Sequence, residues 1–232
     1  MCIVLSVDME QDCPPFLESF KGIEQGTDKL LSLFFEFNVS ATFFFTGMVA
    51  QKYPRVIERV VKAGHEIGCH GYSHTPFIYM DRKTAEMEIS KALDILRVFG
   101  PVVSFRAPNL VFPETYLDLL AENGILIDSS LAKYKASYMR RAKHPPLKRL
   151  PVSATSSVLR LPPWIRTPYL AALSSPIVLF VHPWEFVDFR YTDLRLDCRF
   201  KTGDIARDCL GQVIAGFKKK GRYSFRLVRD YL

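Results

Sequence analysis

Two carboxylates stand one residue apart at the end of the first apolar run, Asp8 and Glu10 in Ile3-Val4-Leu5-Ser6-Val7-Asp8-Met9-Glu10. On an extended chain residues i and i+2 leave the same face, so the pair can divide labour. One can grip a cation while the other takes a proton. Strand-end acids that cap a helix or pair with an arginine account for the two equally well. His70 and His74 form a second set. Two imidazoles and one carboxylate fill three positions of a divalent ion and leave a fourth for water. Three of the five histidines, His65, His70 and His74, fall within ten residues, and His182 ends another apolar run. That density favours metal binding over a chance cluster. Arg106 directly follows an apolar run, where its guanidinium can pair with Asp8 and hold that carboxylate ionised, or sit exposed at a strand end. His182 suits a general acid, although a hydrogen-bonded core histidine is the ordinary alternative. Asp128 can orient such a histidine or cap a helix through Ser129 and Ser130.

These residues need a scaffold that delivers them to one rim. Residues 3–7 form a short apolar run, as expected of a strand covered on both faces. Thr27 is placed to cap a helix running through Leu30, Leu31, Leu33 and Phe34. Residues 41–46 are β-branched and aromatic, hence a strand. Pro54 opens a helix that Gly64 stops, and residues 65–70 return as a strand, with His65 at the far end from His70. Asp81 caps a longer helix with Met87, Ile89, Leu93 and Leu96 as its buried positions. Strands are expected at 102–105, 125–128, 157–161, 177–181 and 224–227, and helices at 113–123 and 204–220. About seven or eight strands alternating with helices is the pattern of an α/β barrel or a doubly wound sheet. In such folds active groups gather at the C-terminal strand ends. The strands here end in Asp8-Met9-Glu10, His70, Arg106-Ala107-Pro108-Asn109, Asp128 and His182-Pro183-Trp184-Glu185.

This ordered set resembles the polysaccharide deacetylases, the NodB-homology domains of carbohydrate esterase family four. The motifs are Val7-Asp8-Met9-Glu10, Gly64-His65-Glu66-Ile67-Gly68 with His70-Gly71-Tyr72-Ser73-His74, Phe105-Arg106-Ala107-Pro108, Asp128-Ser129-Ser130 and Phe180-Val181-His182-Pro183-Trp184-Glu185. The resemblance runs from residue 3 to about 186. It implies a distorted (β/α)7, TIM-like barrel, one divalent metal, usually zinc, and hydrolysis of an N-acetyl group from an amino sugar. It also implies Asp8 as catalytic base, Arg106 as the arginine tethering that base, His182 as catalytic acid, and His70 and His74 as metal ligands. Met9 stands where the family's usual metal-binding Asp would be and cannot serve a hard cation. A branch with an Asp-x-Asp/Glu first motif uses the later acid, which assigns Glu10 to the metal. Asn109, where many members have Tyr, and Trp184 are placed at the substrate and oxyanion side, Asn109 through its backbone N–H. Asp128 is the candidate for orienting His182. The same machinery could serve a deformylase or a cyclic-amide hydrolase, and a non-catalytic sugar- or metal-binding relative is a further alternative.

Length and composition set the outer bounds. The 232 residues, 48% hydrophobic and 24% charged, suit one globular catalytic domain over 1–232 and exclude disorder, collagen and coiled coil. There is no CxxC pair among the five cysteines and no signal-peptide pattern at the start, so a cytoplasmic protein with reduced thiols is expected. A site peripheral to the inner membrane face is compatible, as is a homo-oligomer. The net charge of +7 and a pI near 9.2 would suit an acidic partner. The basic runs 138–144 and 218–220 lack any recognised nucleic-acid motif and read as solvated faces, so no nucleic-acid partner is expected. An N-acylated sugar bearing phosphate or linked to lipid, met near the basic excursion at 133–148, reconciles the charge with the chemistry.

Overall fold

The computed structural model describes residues 1–141 and 143–232, the side chains of Ser137 and Arg140 aside. Part of the predicted basic excursion therefore lies outside the described residues. The chain runs β1 (Cys2–Met9), α1 (Thr27–Glu36), β2 (Thr42–Phe45), α2 (Gly47–Lys52), α3 (Pro54–Lys62), β3 (Glu66–Cys69), α4 (Arg82–Leu96), β4 (Ser104–Phe105) and α5 (Leu117–Glu122). It continues through β5 (Ile127–Asp128), β6 (Lys148–Arg149), α6 (Pro163–Ala171), β7 (Ile177–Val181), α7 (Leu196–Arg199), α8 (Asp204–Lys219) and β8 (Ser224–Arg226). All pairings are parallel, in the order β6-β5-β4-β3-β2-β1-β7, with β8 added against the start of β1. The sheet curls until residue 153 meets β7, where Ser153 N donates to Val178 O (2.8 Å) and Val178 N to Ser153 Oγ (3.0 Å). This is the expected distorted (β/α)7 barrel.

Strand pleat sorts the side chains. Along β1, Ile3, Leu5, Val7 and Met9 join the large core beneath the helices, while Val4 joins a second core inside the barrel. Ser6 and Asp8 point inward with Val4, both reaching Arg106. The same alternation sends Phe43 and Phe45 outward and Phe44 inward on β2. Gly68 on β3 must lack a side chain there, because a Cβ would stand 2.6 Å from the Phe44 ring and 2.7 Å from Ser104 Oγ. At the N-terminal end of the barrel, buried Glu66 accepts from Thr42 Oγ1 (2.7 Å), Ser104 Oγ (2.8 Å) and Arg229 N (3.1 Å), tying the C-terminal turn across the base.

Several local expectations differ. Thr27 does not cap α1, because a π-helical turn, Gly22–Gly26, runs straight into it. Met87 is 62% exposed rather than buried, since it lies on the outer face of α4. The segment expected as a strand at 157–161 is a 3-10 turn, Ser156–Arg160, that carries Arg160 inward. The helix expected at 113–123 splits into a 3-10 turn, Glu114–Tyr116, followed by α5. Asp81 caps α4 as expected, accepting from Thr84 N (2.8 Å).

Candidate active site

The C-terminal rim of the barrel opens into a cavity of about 440 Å³. Asp8, Glu10, His70, His74 and His182 line it, with Asn109, Tyr134, Lys135, Arg195 and Asp197 among its walls. Glu10 stands at the centre. Its Oε2 lies 2.6 Å from His74 Nε2 and 3.2 Å from His70 Nε2, and its Oε1 lies 3.7 Å from His182 Nε2. Met9 faces the opposite way, fully buried under the helices, as the pleat requires. Burial alone would raise the Glu10 carboxyl, but the imidazoles of His74, His182 and His70 packed around it hold it well below the usual range.

The two histidines of the pair come from a loop, not a helix. His70 leaves β3 directly, and His74 turns back with a left-handed backbone (φ 65°). Glu88 on α4 clamps the intervening turn, accepting from Tyr72 N (3.1 Å) and Ser73 N (2.9 Å). His70 Nδ1 lies 2.6 Å from the Arg106 carbonyl. A carbonyl can only accept, so that nitrogen carries a proton and Nε2 is the ring atom turned toward Glu10, free to ligate an ion. His74 Nε2 is buried with no aligned hydrogen-bond partner despite its closeness to Glu10. Two imidazole lone pairs and a carboxylate oxygen, all within 4.8 Å of one another, repel unless a cation sits among them. The donor set fits a divalent metal.

Asp8 is held from within the barrel. Arg106, fully buried, donates to Asp8 Oδ1 (2.7 Å), Ser6 Oγ (2.8 Å) and Ser129 Oγ (3.0 Å), with its guanidinium 4.4 Å from the Phe44 ring centre. On the other side, His182 Nδ1 pairs with Glu185 Oε1 at 2.8 Å. Glu185 in turn meets Arg160 Nε at 3.0 Å, and Arg160 is fixed by the carbonyls of Asp197 (2.9 Å) and Phe200 (2.5 Å). Burial would lower the His182 imidazole, yet the Glu10 charge and the bond to Glu185 push it up to about 9.

Asp128 does not orient His182. β5 sits between β4 and β6, so Asp128 meets Arg149 Nε (2.7 Å) on β6, whereas His182 ends β7. Asp128 also accepts from Ser130 Oγ, which in turn accepts from Ala107 N (2.8 Å), so this motif braces the Arg106 segment. Burial lifts the Asp128 carboxyl, outweighing Arg149. The orienting carboxylate is Glu185. Its position three residues after His182 and just inside the Pro183 turn was the signal available in the sequence. Trp184 stacks on the His182 ring (centroids 4.9 Å, 18°) and is 6% exposed, so it backs the imidazole rather than standing open to a ligand. Asn109 reaches the cavity wall with φ 57°, and its carbonyl accepts from Lys135 Nζ (2.5 Å). His65 lies at the other end of β3, its Nδ1 accepting from Ala41 N (3.1 Å).

A model of the polysaccharide deacetylases matches residues 3–127, more than half of the chain. The chain belongs to that family. A peptidoglycan deacetylase of Helicobacter pylori is 33% identical over 110 residues, 47% of this chain and 38% of that protein. A chitooligosaccharide deacetylase of Sinorhizobium fredii is 30% identical over 102 residues, 43% of this chain and 47% of that one. The chain thus matches under half the length of either relative. Among solved structures, a family 4 carbohydrate esterase from Streptomyces lividans in complex with acetate superposes with a TM-score of 0.63 at 16% identity, covering 97% of this chain and 90% of that one. A family pseudoenzyme from Bacillus anthracis gives a TM-score of 0.68 at 14% identity over 99% of this chain and 64% of that one. These likenesses establish the fold, which active and inactive members share.

Proposed function

We propose that this polysaccharide deacetylase family member is a metal-dependent carbohydrate N-deacetylase, its catalytic domain spanning 1–232. The reading is carried by the convergence of Glu10, His70 and His74 on one point beside the Asp8–Arg106 pair. Those three residues would hold the ion. A divalent metal there, with zinc favoured by the two-histidine, one-carboxylate set, supplies Lewis acidity toward an amide carbonyl and its attacking water. Asp8, fixed by Arg106, accepts the proton of that water. His182, held by Glu185 with Nε2 toward the cavity, donates a proton to the departing sugar nitrogen. Such a proton transfer contributes on the order of 10²–10⁴ in rate, because an amine anion is a very poor leaving group. The backbone N–H at Asn109 is the candidate donor to the tetrahedral oxyanion.

The acyl group is taken to be acetyl, and formate in place of acetate among the products would make the enzyme a deformylase. The +7 charge and the presence of Lys135 on the cavity wall support a substrate that carries phosphate or a lipid-linked phosphate, while Arg195 there is already paired with Asp197. A second reading, a non-catalytic relative, is favoured by the pseudoenzyme of the same fold. One experiment separates them. Chelated protein is reloaded with zinc and incubated with N-acetylglucosamine oligomers, and acetate and bound metal are both measured. Stoichiometric metal with acetate release is expected, and Glu10→Ala or His74→Ala should lose both. Full metal occupancy and activity in either variant would overturn the ligand assignment; metal without acyl release from any N-acyl sugar would establish the non-catalytic reading.

A further inference from the structure

Cys13 and Cys198 are thiols that the proposed hydrolysis does not use. They come from distant parts of the chain, Cys13 from the segment just after Glu10 and Cys198 from α7. Both are buried, at 1% and 6% exposure, and pack with Trp184 and Phe189 in a small apolar cluster beside the active site. The two sulfurs share that cluster, and each is the largest influence on the other's titration. The backbone on the Cys13 side is rigidly placed. Asp12 accepts from Ser19 Oγ (2.6 Å), Lys21 N (2.7 Å) and Gly22 N (2.8 Å), closing the segment on itself. Cys198 is placed by α7, within which Arg160 holds the Asp197 carbonyl. Cys2, by contrast, faces a hydroxyl, Ser224 Oγ at 3.6 Å.

Both residues also line a groove of about 270 Å³ that opens past Glu10 and His182, so a small solute reaches them from the active-site side. We propose that Cys13 and Cys198 are a redox modification site, closed to a disulfide by a peroxide, which fastens the segment following Glu10 to the α7 wall of the cleft. The Cys198 sulfur is the attacking partner, since at 6% exposure against 1% for Cys13 it is the more accessible to a peroxide. It attacks the peroxide O–O bond, giving a sulfenic acid and, for hydrogen peroxide, one hydroxide that takes up the proton the Cys198 thiol released and leaves as water. Cys13 sulfur then displaces the sulfenic hydroxyl, its proton leaving with that oxygen as a second water. Two thiols are oxidised and one peroxide is reduced. The step is independent of amide hydrolysis.

The full chain is treated with hydrogen peroxide, alkylated, and digested with trypsin and a Glu-specific protease without reductant. Cleavage after Glu10 separates Cys13 from Cys2, so peptide 11–18 is expected joined to Leu196–Arg199. The joined species should vanish with dithiothreitol and be absent from Cys13→Ser and Cys198→Ser. Amide deuterium uptake over residues 11–20 should slow several-fold in the oxidised protein relative to the reduced one. Recovery of the two peptides separately, alkylated or as sulfinic acids, would overturn the site. A joined pair with unchanged uptake would overturn the fastening. Cys198→Ala serves as control if Cys13→Ser does not fold.

Discussion

His182 shows how much one neighbour determines a single residue's role. As the proposed general acid, His182 must hold its proton at working pH and point the right nitrogen at the leaving group. Glu185 does both, bonding Nδ1 and adding negative charge, while Arg160 keeps Glu185 itself ionised. The rate should fall as pH rises through the His182 titration. Glu185→Gln removes a negative charge that favours imidazolium, so the alkaline limb of kcat/KM should move to lower pH, with kcat reduced. An unmoved limb in a pH–rate profile would separate Glu185 from catalysis. The motif itself was legible in the sequence as His182-Pro183-Trp184-Glu185, but not the partner, because Asp128 and Glu185 both end or follow apolar strands. Strand order, which a sequence does not print, decided between them: β5 lies four strands from β1, and β7 lies next to it.

At the scale of elements, close backbone contacts hold His182 in place. The π-helical turn before α1 lies against the Pro183 turn so tightly that a Cβ on Gly26 would stand 2.0 Å from Pro183 O. Gly26→Ala should therefore cost about 1–3 kcal/mol, the usual range for overpacking, and lower kcat by displacing His182. Gly216, exposed on α8 with nothing within 4 Å of a built Cβ, gives the opposite sign. Gly216→Ala should stabilise by about 0.5–1 kcal/mol in urea unfolding and leave activity alone. Burial holds the His65 imidazole down to about 4. Its neutral form therefore contributes stability in full above about pH 6.5, and loses it as pH falls toward 4, where only the unfolded chain takes the proton. The slope is at most about 1.4 kcal/mol per pH unit. His65→Asn, which keeps an acceptor for Ala41 N, should flatten it. Legibility followed the same lines: β1, β2 and β7 are long apolar runs and read well. The 157–161 segment misread because Arg160 belongs to a turn that brings it to Glu185, a contact 25 residues away in sequence.

For the whole molecule, the barrel concentrates its ionic chemistry inside while the surplus charge lies largely outside. Arg106 with Asp8 and Arg160 with Glu185 are each buried and mutually compensated, and buried Asp128 is compensated by half-buried Arg149. Breaking one such pair costs about 3–5 kcal/mol, so these arginines do not express the +7 balance toward a partner. No helix among the described residues is long and apolar enough to cross a membrane. If exposed basic groups recruit a phosphate-bearing sugar, KM for that substrate should rise with ionic strength while KM for its neutral analogue stays flat, because exposed charges are screened. Equal salt dependence of the two would sink that reading.

The pleat of β1 also bears on how inactive relatives are recognised. An alignment column holding Met9 in place of an acid would file this chain with proteins that have lost a ligand. Yet Met9 points under the helices, while Asp8 and Glu10 share the inner face. Loss should be scored by the side of the strand a carboxylate occupies, not by the column it falls in. If the proposed metal role of Glu10 holds, sequences with an acid one column late have relocated the ligand rather than discarded it.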